Sequence, residues 1–363
     1  MSMKRLRGVT LALTLVAMLV VAGCAPQPAA QPTTAPPAPA VTVVEKVVEK
    51  TVVVTPTAAP KPSRTYKIGF ANLVRDITFT IDVENGIKAA AEKAGNIELI
   101  ILDNKLDGAT ALANADIFIN QGVDGVIEFQ TDEKFGLVIM DKFRAKNIPV
   151  IAIDIPMPGA TFFGADNYRA GFMAGEALAK AFKERFPNAP PLLLLGELPQ
   201  SGPIPAARIE GYFQGVKSVF PELSEQHVRR FDTKNTLEES RTQVANILTT
   251  IPPGTKFMGG AINDGSTLGM LAAIEAAGRL QDAVLAGQGA DQTGREEMCR
   301  QGSIMIGSTA YFPEKYGEKI IPAMLKLLNG EPVPPAIYVD HVFITPKNIK
   351  QYYPDFPCPA AGG

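Results

Sequence analysis

The chain has 363 residues, of which 46% are hydrophobic and 20% charged, and 35 Lys and Arg residues nearly balance 37 Asp and Glu residues. This composition is typical of a globular protein of about two or three domains, and a net charge of −2 argues against binding to nucleic acid. The two His and three Cys residues have neither C-x-x-C nor H-x-x-x-H spacing, so zinc, haem and iron–sulfur sites are excluded. We therefore predict no metal site and no cofactor.

Residues 1–23 have the pattern of a secretory signal peptide. Basic residues precede an uncharged apolar run over 9–22, which is shorter than the ~20 residues of a membrane-spanning helix. The run Val-Ala-Gly-Cys ending at Cys24 resembles a bacterial lipobox, which implies cleavage before Cys24 and a lipid on its sulfur. The alternative is an uncleaved signal anchor with an incidental cysteine. Residues 24–65 are rich in Pro, Ala and Thr and are predicted to form an extended linker, or a disordered tail without a spacing role.

From Tyr66 onward, short apolar runs alternate with amphipathic segments, which is the pattern of parallel strands joined by helices. We predict an α/β fold with two doubly wound parallel-sheet lobes joined near 160–168, a strand returning over 330–345 and a loop-like tail. The predicted strands are 66–72, 97–104, 125–130, 149–155, 191–198, 227–232, 256–262, 283–289 and 304–311. The predicted helices are 80–94, 108–121, 133–146, 168–185, 205–220, 237–250, 265–278, 293–302 and 313–329.

A series of short motifs in this pattern resembles the ribose-type periplasmic binding proteins, which are type I solute-binding proteins of ABC sugar importers. Three of them are FFGADNYRAGFMAGEAL, PAARIEGYFQGV and AINDGSTLGMLAAIEAAG. The resemblance covers about residues 66–345. It implies two lobes joined by a three-stranded hinge: residues 66–165 plus 312–337 form the N-terminal lobe, residues 166–311 plus 338–350 the C-terminal lobe, and 351–363 the tail.

Polar and aromatic residues follow the predicted strands at their carboxyl ends. In open α/β sheets ligands bind at these ends, in the cleft between lobes. Carboxylates, an Arg fork and amides suit the hydroxyl groups of a sugar, and aromatic rings suit its apolar face. The predicted ligand-binding residues are Arg75, Phe79, Gln130, Asp154, Arg208, Phe231, Asn263, Asp291 and Tyr311.

The resemblance implies roles for five of these residues. Asp154 falls on the family's aspartate that accepts from sugar hydroxyls, Arg208 on its helix-start arginine and Asn263 on its Asn-Asp asparagine. Phe79 and Phe231 fall on the aromatic residues that sandwich the sugar.

At three positions the sequence departs from the ribose-binding pattern. Ile155 replaces an arginine, Gly289 replaces an aspartate, although Asp291 is close, and Tyr311 replaces a glutamine. Fewer polar anchors argue against ribose itself and favour a ligand with a methyl group, a deoxy position or a larger apolar portion.

Several of these residues also have a local structural interpretation. Asp154 could cap the loop that follows its strand, and Arg208 could pair with Glu210. Asn263 could cap the next helix, although Asp264 is the better candidate by position. These alternatives stay open at the level of sequence.

We interpret the chain as a lipid-anchored extracytoplasmic protein, expected to be monomeric, that captures a small carbohydrate and delivers it to an ABC permease. An alternative is a sugar or autoinducer sensor acting with a membrane receptor. We do not expect an enzyme, because neither His227 nor His341 follows a strand end near a Ser or Cys nucleophile. Cys299 and Cys358 could form a disulfide bond in an oxidising compartment, but the sequence does not fix their distance.

Overall fold

A computed structural model describes residues 64–130 and 132–359 of the chain. The predicted signal peptide, Cys24, the linker up to residue 63 and residues 360–363 of the tail lie outside these ranges. Among the helices that the structure describes, none has the length and apolar character needed to cross a membrane.

The first sheet has six strands, all parallel, in the spatial order β11-β5-β4-β3-β1-β2. Helices α1 and α9 pack on one face and α2 and α3 on the other, so alternate residues of each strand enter two separate apolar cores. We call this sheet with its helices the first lobe. Its elements are β1 (Tyr66–Asn72), α1 (Thr78–Ala94), β2 (Ile97–Asp103), α2 (Gly108–Gln121), β3 (Gly125–Glu128), α3 (Glu133–Arg144), β4 (Val150–Ile153), β5 (Thr161–Gly164), α9 (Tyr316–Leu328) and β11 (Ala336–Tyr338).

The second sheet also has six strands, in the order β12-β10-β9-β8-β6-β7, and only the edge strand β12 is antiparallel to its neighbour. Helices α4 and α5 cover one face and α6 and α7 the other. This sheet with its helices is the second lobe. Its elements are α4 (Asn167–Arg185), β6 (Leu193–Glu197), α5 (Pro203–Val219), β7 (Val228–Asp232), α6 (Leu237–Thr250), β8 (Phe257–Ala261), α7 (Asp264–Ala276), β9 (Ala283–Gly289), α8 (Gln292–Met298), β10 (Met305–Ala310), β12 (Val342–Ile344) and α10 (Ile349–Tyr352).

The predicted α/β fold of two doubly wound lobes is confirmed. The chain crosses between the lobes three times: from β5 to α4, from β10 to α9 and from β11 to β12. Two details differ from the sequence prediction. The expected single strand over 330–345 is divided into β11 and β12, one in each sheet, because the third crossing interrupts it. Strand β5 was not predicted, since its four residues lie within the segment assigned to the lobe connection.

Helices α4 and α5 approach each other so closely that their backbones touch. Gly171 and Gly175 of α4 face Gly211 and Gly215 of α5, and a Cβ at any of the four would overlap a backbone atom of the other helix. Only glycine permits this contact. It fixes Arg208, in the first part of α5, beside the start of α4.

The carboxyl-terminal segment is joined covalently to the second lobe. Cys299 and Cys358 form a disulfide bond, which answers the question that the sequence left open. Beyond helix α10, the ring of Tyr353 stacks on that of Phe312 in the second crossing, with 6.0 Å between centroids. The tail therefore packs against the junction of the lobes.

Candidate functional site

A cavity lies between the two lobes at the carboxyl ends of their strands. Its volume is about 80 Å³, and both lobes contribute to its wall. The lobes also meet at its rim, where a Cβ on Gly202 of the second lobe would overlap the Glu133 carboxylate of the first. The residues that line it include Phe79, Gln130, Asp154, Ile155, Arg208, Asn235, Asn263, Gln288, Asp291 and Tyr311.

Asp154 is the acidic residue of the first lobe in this cavity. It follows β4 directly, and its φ of 60° is a left-handed backbone conformation that Asp tolerates better than most residues. The close approach of Gly164 makes room for its side chain, because a Cβ there would lie 2.6 Å from Oδ1. Burial raises the pKa of Asp154 to about 6, against the lowering effects of the Arg208 charge and a hydrogen bond from the Ala165 backbone.

Two buried polar atoms of the first lobe are unpaired at this site. Asp154 Oδ1 and Gln130 Nε2 have no hydrogen-bond partner among the residues that the structure describes. Gln130 is held by its other end, because Oε1 accepts from the Asp132 backbone N–H at 2.7 Å. The first lobe thus presents one unpaired acceptor and one unpaired donor. Each lowers the stability of the folded protein by about 1–3 kcal/mol if it stays buried without a partner.

Arg208 is the basic residue of the second lobe in this cavity. Nε and Nη2 donate to Asn167 Oδ1 at 3.0 and 2.7 Å, and Nη1 donates to the Ile262 carbonyl oxygen. Its guanidinium lies 4.9 Å from the centre of the Tyr311 ring. These contacts hold the side chain in one position, and three bonds leave two of its five N–H groups for a ligand. Asn167 belongs to the FFGADNYRAG motif, but the sequence alone does not indicate that it positions Arg208.

Tyr311 contributes mainly its ring to the cavity. The hydroxyl group donates to Gln288 Oε1 at 2.6 Å, and burial raises the pKa of Tyr311. Phe79 from the first lobe meets the Tyr311 ring edge-on, with 6.3 Å between centroids. The two aromatic residues form an apolar wall that spans both lobes, beside Ile155.

The amide of Asn263 is occupied by contacts within the second lobe. Its Oδ1 accepts from the Ser266 backbone N–H at 2.7 Å and caps α7, so the expectation that Asp264 is the cap is wrong. Asp264 is fully buried instead, and its carboxylate accepts from the Ser308 hydroxyl and the Asp291 backbone N–H. Asn263 Nδ2 donates to Asn235, a cavity residue that was not predicted.

Asp291 lies at the beginning of α8 in the second lobe, whereas Asp154 belongs to the first lobe. Its Oδ1 accepts from the Gly294 backbone N–H and the Thr293 hydroxyl, which caps α8. Burial raises the pKa of Asp291. The cavity therefore receives one carboxylate from each lobe.

Two predicted residues lie outside the cavity. Arg75 is 44% exposed and pairs with Glu84 at 2.6 Å. Although burial opposes ionisation of Glu84, hydrogen bonds from Arg75 and Lys88 lower its pKa to about 2. Phe231 is buried in the core beneath α6 and α7, because it occupies an inward-facing position of β7. Within residues 64–130 and 132–359, no three His, Cys, Asp or Glu side chains are arranged to hold a metal ion.

Comparison with known proteins places this architecture in a family. A profile of the periplasmic binding protein domain matches residues 68–332. The chain belongs to the periplasmic binding protein family. It is 25% identical over 297 residues to a protein of Rhizobium meliloti named "Putative rhizopine-binding protein". This alignment covers 78% of this chain and 92% of the relative. It is 24% identical over 229 residues to the ribose import binding protein of Bacillus subtilis, covering 60% of this chain and 70% of that protein.

Solved structures agree with the fold of this periplasmic binding protein. An ABC transporter solute-binding protein of Bacillus halodurans C-125 with bound myo-inositol superposes with a TM-score of 0.67, at 23% identity, over 81% of this chain and 99% of that one. A Mycobacterium smegmatis protein in complex with β-D-fucofuranose gives a TM-score of 0.68 at 20% identity, over 80% and 95% of the two chains. The family consists of extracytoplasmic solute-binding proteins of the kind that serve ABC importers, and these relatives are not enzymes.

Proposed function

We propose that this periplasmic binding protein captures a small sugar or related polyol in the cavity between its lobes and delivers it to an ABC permease. The observation that carries the proposal is the pair of buried polar atoms, Asp154 Oδ1 and Gln130 Nε2, which are unpaired among the described residues and both belong to cavity-lining side chains. A hydroxyl group donates and accepts hydrogen bonds, so one polyol satisfies both atoms.

Capture depends on contacts from both lobes. Asp154 and Gln130 belong to the first lobe, and Arg208 and Asp291 belong to the second. A ligand that bonds to both sets has a higher affinity for the closed arrangement than for the open one. It therefore shifts an existing equilibrium toward closure, and the permease recognises the closed form.

The apolar part of the wall favours a ligand that is less polar than ribose. Ile155 is buried at the cavity, and the Tyr311 hydroxyl is already bonded to Gln288. A Cβ on Gly289 would lie 3.4 Å from the Phe79 ring, so this ring occupies the space beside Gly289. A hydroxyl facing this wall costs roughly 1–3 kcal/mol. We infer a preference for a methyl, deoxy or substituted sugar, and β-D-fucofuranose, the compound bound to the Mycobacterium smegmatis protein, is a deoxy sugar of this kind.

A thermal-shift screen of the protein against pentoses, hexoses, deoxy sugars, inositols and nucleosides tests the proposal. A ligand present at about 100 times its Kd stabilises the folded state by ~2.7 kcal/mol. No shift with any member of the panel would contradict sugar capture. Calorimetric titration of ribose and a 6-deoxyhexose then tests the preference, which is wrong if ribose binds at least tenfold more tightly than every deoxy or substituted sugar.

We also propose that the protein is held at the membrane surface through a lipid on Cys24. The lipobox-like sequence supports this, and the long linker would give the lobes reach from the membrane. Cys24→Ser is expected to give a soluble or unprocessed chain. Mass spectrometry of the native amino terminus without a lipid would exclude the anchor.

A further inference from the structure

His341 contacts all three segments that connect the lobes. It lies in the third crossing, between β11 and β12, and is 92% buried, with 8% of its surface exposed. Its Nε2 accepts from the Asp166 backbone N–H of the first crossing at 3.0 Å. Its Nδ1 lies 3.3 Å from the Ala310 carbonyl oxygen, where the second crossing begins, and its ring packs on Tyr311 with 5.0 Å between centroids.

These contacts define one protonation state. Nε2 faces a donor, so it must carry the lone pair, and Nδ1 faces a carbonyl oxygen, so it must carry the proton. The ring is therefore neutral. Burial lowers the pKa of His341 to about 4, with the charges of Arg208 and Arg169 acting in the same direction, and the Ala310 carbonyl and Asp166 acting against it.

The His341 contacts continue to the cavity in two short steps. Asp166 precedes Asn167, whose Oδ1 receives two hydrogen bonds from Arg208. On its other side, the His341 ring supports Tyr311, whose hydroxyl is bonded to Gln288. A movement of the crossings about His341 would displace Arg208 and Tyr311 together. The imidazole itself does not line the cavity.

We propose that His341 is a positioning residue of the hinge, which stabilises the closed arrangement of the lobes and so raises ligand affinity without ligand contact. The essential bond is the one from the Asp166 N–H to Nε2, because it joins the first and third crossings and leads to Arg208. This inference rests on the proposed function for its affinity readout, but not for its conformational readout.

Three substitutions separate the two hydrogen bonds from the packing of the ring. His341→Gln keeps an acceptor at the position of Nε2, His341→Asn keeps a donor at the position of Nδ1, and His341→Phe keeps only the ring. We expect Asn and Phe to raise the Kd of the best-binding sugar about five- to tenfold, the effect of losing one buried hydrogen bond, and Gln to stay within about threefold. His227→Gln is the matched control, because this half-buried imidazole of the second lobe bonds to Ser224 and contacts none of the crossings, and it should leave the affinity and the label distances unchanged.

The conformational readout uses no ligand. Spin labels carried by p-acetylphenylalanine at Leu137 of α3 and Ile204 of α5 report the separation of the lobes in the full chain. The two side chains are 51% and 44% exposed, and each lies within four residues of the contact between Glu133 and Gly202. His341→Asn and His341→Phe are expected to shift the distance distribution to longer values, and His341→Gln to keep the wild-type distribution. Amide exchange at Asp166 should accelerate in the Asn and Phe variants only.

Acidification gives a further readout that a structural role alone would not produce. Protonation of Nε2 sets two N–H groups against each other, so the wild-type lobes should separate as the pH falls through about 4. The groups facing the ring are Asp166 and Arg169 at the start of α4, Arg208 on α5 and Tyr311 of the second crossing. All are retained in His341→Gln, which should lack this transition.

The outcomes are distinguishable. If the wild-type chain binds no sugar but the label distances change as stated, the proposed function is wrong and the hinge role stands. If the sugar binds and all three variants keep the wild-type distances and affinity, the hinge role is overturned. If His341→Phe does not fold, the comparison of Gln with Asn decides, and equal behaviour of these two variants contradicts the essential Asp166 bond.

Discussion

Replacing Asp154 by Asn should stabilise the free protein and weaken its binding of ligand. Burial raises the pKa of this carboxyl from 3.8 to about 6, a difference of about two units, or ~3 kcal/mol at 1.36 kcal/mol per unit. Because the folded-state pKa is the higher one, stability is lost as the pH rises from about 4 to about 6. Asn has no charge to bury and tolerates the left-handed backbone at this position. We expect the free energy of unfolding of Asp154→Asn to exceed that of wild type by up to ~3 kcal/mol at pH 8 and to match it near pH 4.

The effect on ligand binding has the opposite sign. Asn keeps an oxygen acceptor but loses the charge that strengthens a hydrogen bond from a hydroxyl group, so affinity should fall by ~2–3 kcal/mol. Denaturant unfolding at pH 4 and pH 8 measures the first effect, and calorimetric titration at pH 8 measures the second.

Glu128→Gln provides the matched control. Burial raises the pKa of Glu128 to about 8, against a hydrogen bond from Asn104, and this residue lies outside the cavity lining. The control should stabilise the protein at pH 8 with unchanged affinity. The reasoning is refuted if Asp154→Asn destabilises the protein equally at both pH values, or if it binds the ligand as tightly as wild type.

Three further predictions follow from contacts in the second lobe. Arg208→Ala should weaken ligand binding by ~2–4 kcal/mol in calorimetric titration, since it leaves a buried ligand group without its partner, whereas unchanged affinity would contradict this placement of the site. Gly211→Ala should lower the free energy of unfolding by ~1–3 kcal/mol, because its Cβ overlaps the α4 backbone. The control Gly265→Ala, where a Cβ has room, should be neutral or slightly stabilising, and equal effects of the two substitutions would contradict the close contact of α4 and α5. Reduction of the bond between Cys299 and Cys358, 59 residues apart, should cost up to ~4 kcal/mol in the chain-entropy model, and identical melting curves with and without reductant would contradict it.

The sequence was sufficient for the order of the elements, apart from β5 and the division of the last strand into β11 and β12, and for the place of the cavity. Apolar runs mark buried strands, so the predicted bounds of β1 and the alternation of helices match the structure. The carboxyl ends of parallel strands meet at one edge, and this brings Gln130, Asp154 and Asp291, predicted from three separate strand ends, to one cavity.

Features that depend on packing between distant segments could not be predicted in the same way. Phe231 was expected at the ligand, but the side of a sheet that a residue faces depends on strand register. Asn263 was expected to yield its capping role to Asp264, and only the structure places Asp264 against Ser308. The role of Asn167 depends on the contact of two helices, which the sequence signals only through paired glycines.

The position of β11 in the chain has a consequence for the biogenesis of the protein. The first sheet is completed by residues 336–338, which pair with residues 162–164 of β5, so this lobe cannot finish folding until residue 338 has been made. A chain shortened before residue 336 would leave β5 as an open sheet edge, which is a template for aggregation. The first lobe is therefore not a unit that can be produced by truncation, and late closure of its sheet leaves the β5 edge open for longer during synthesis.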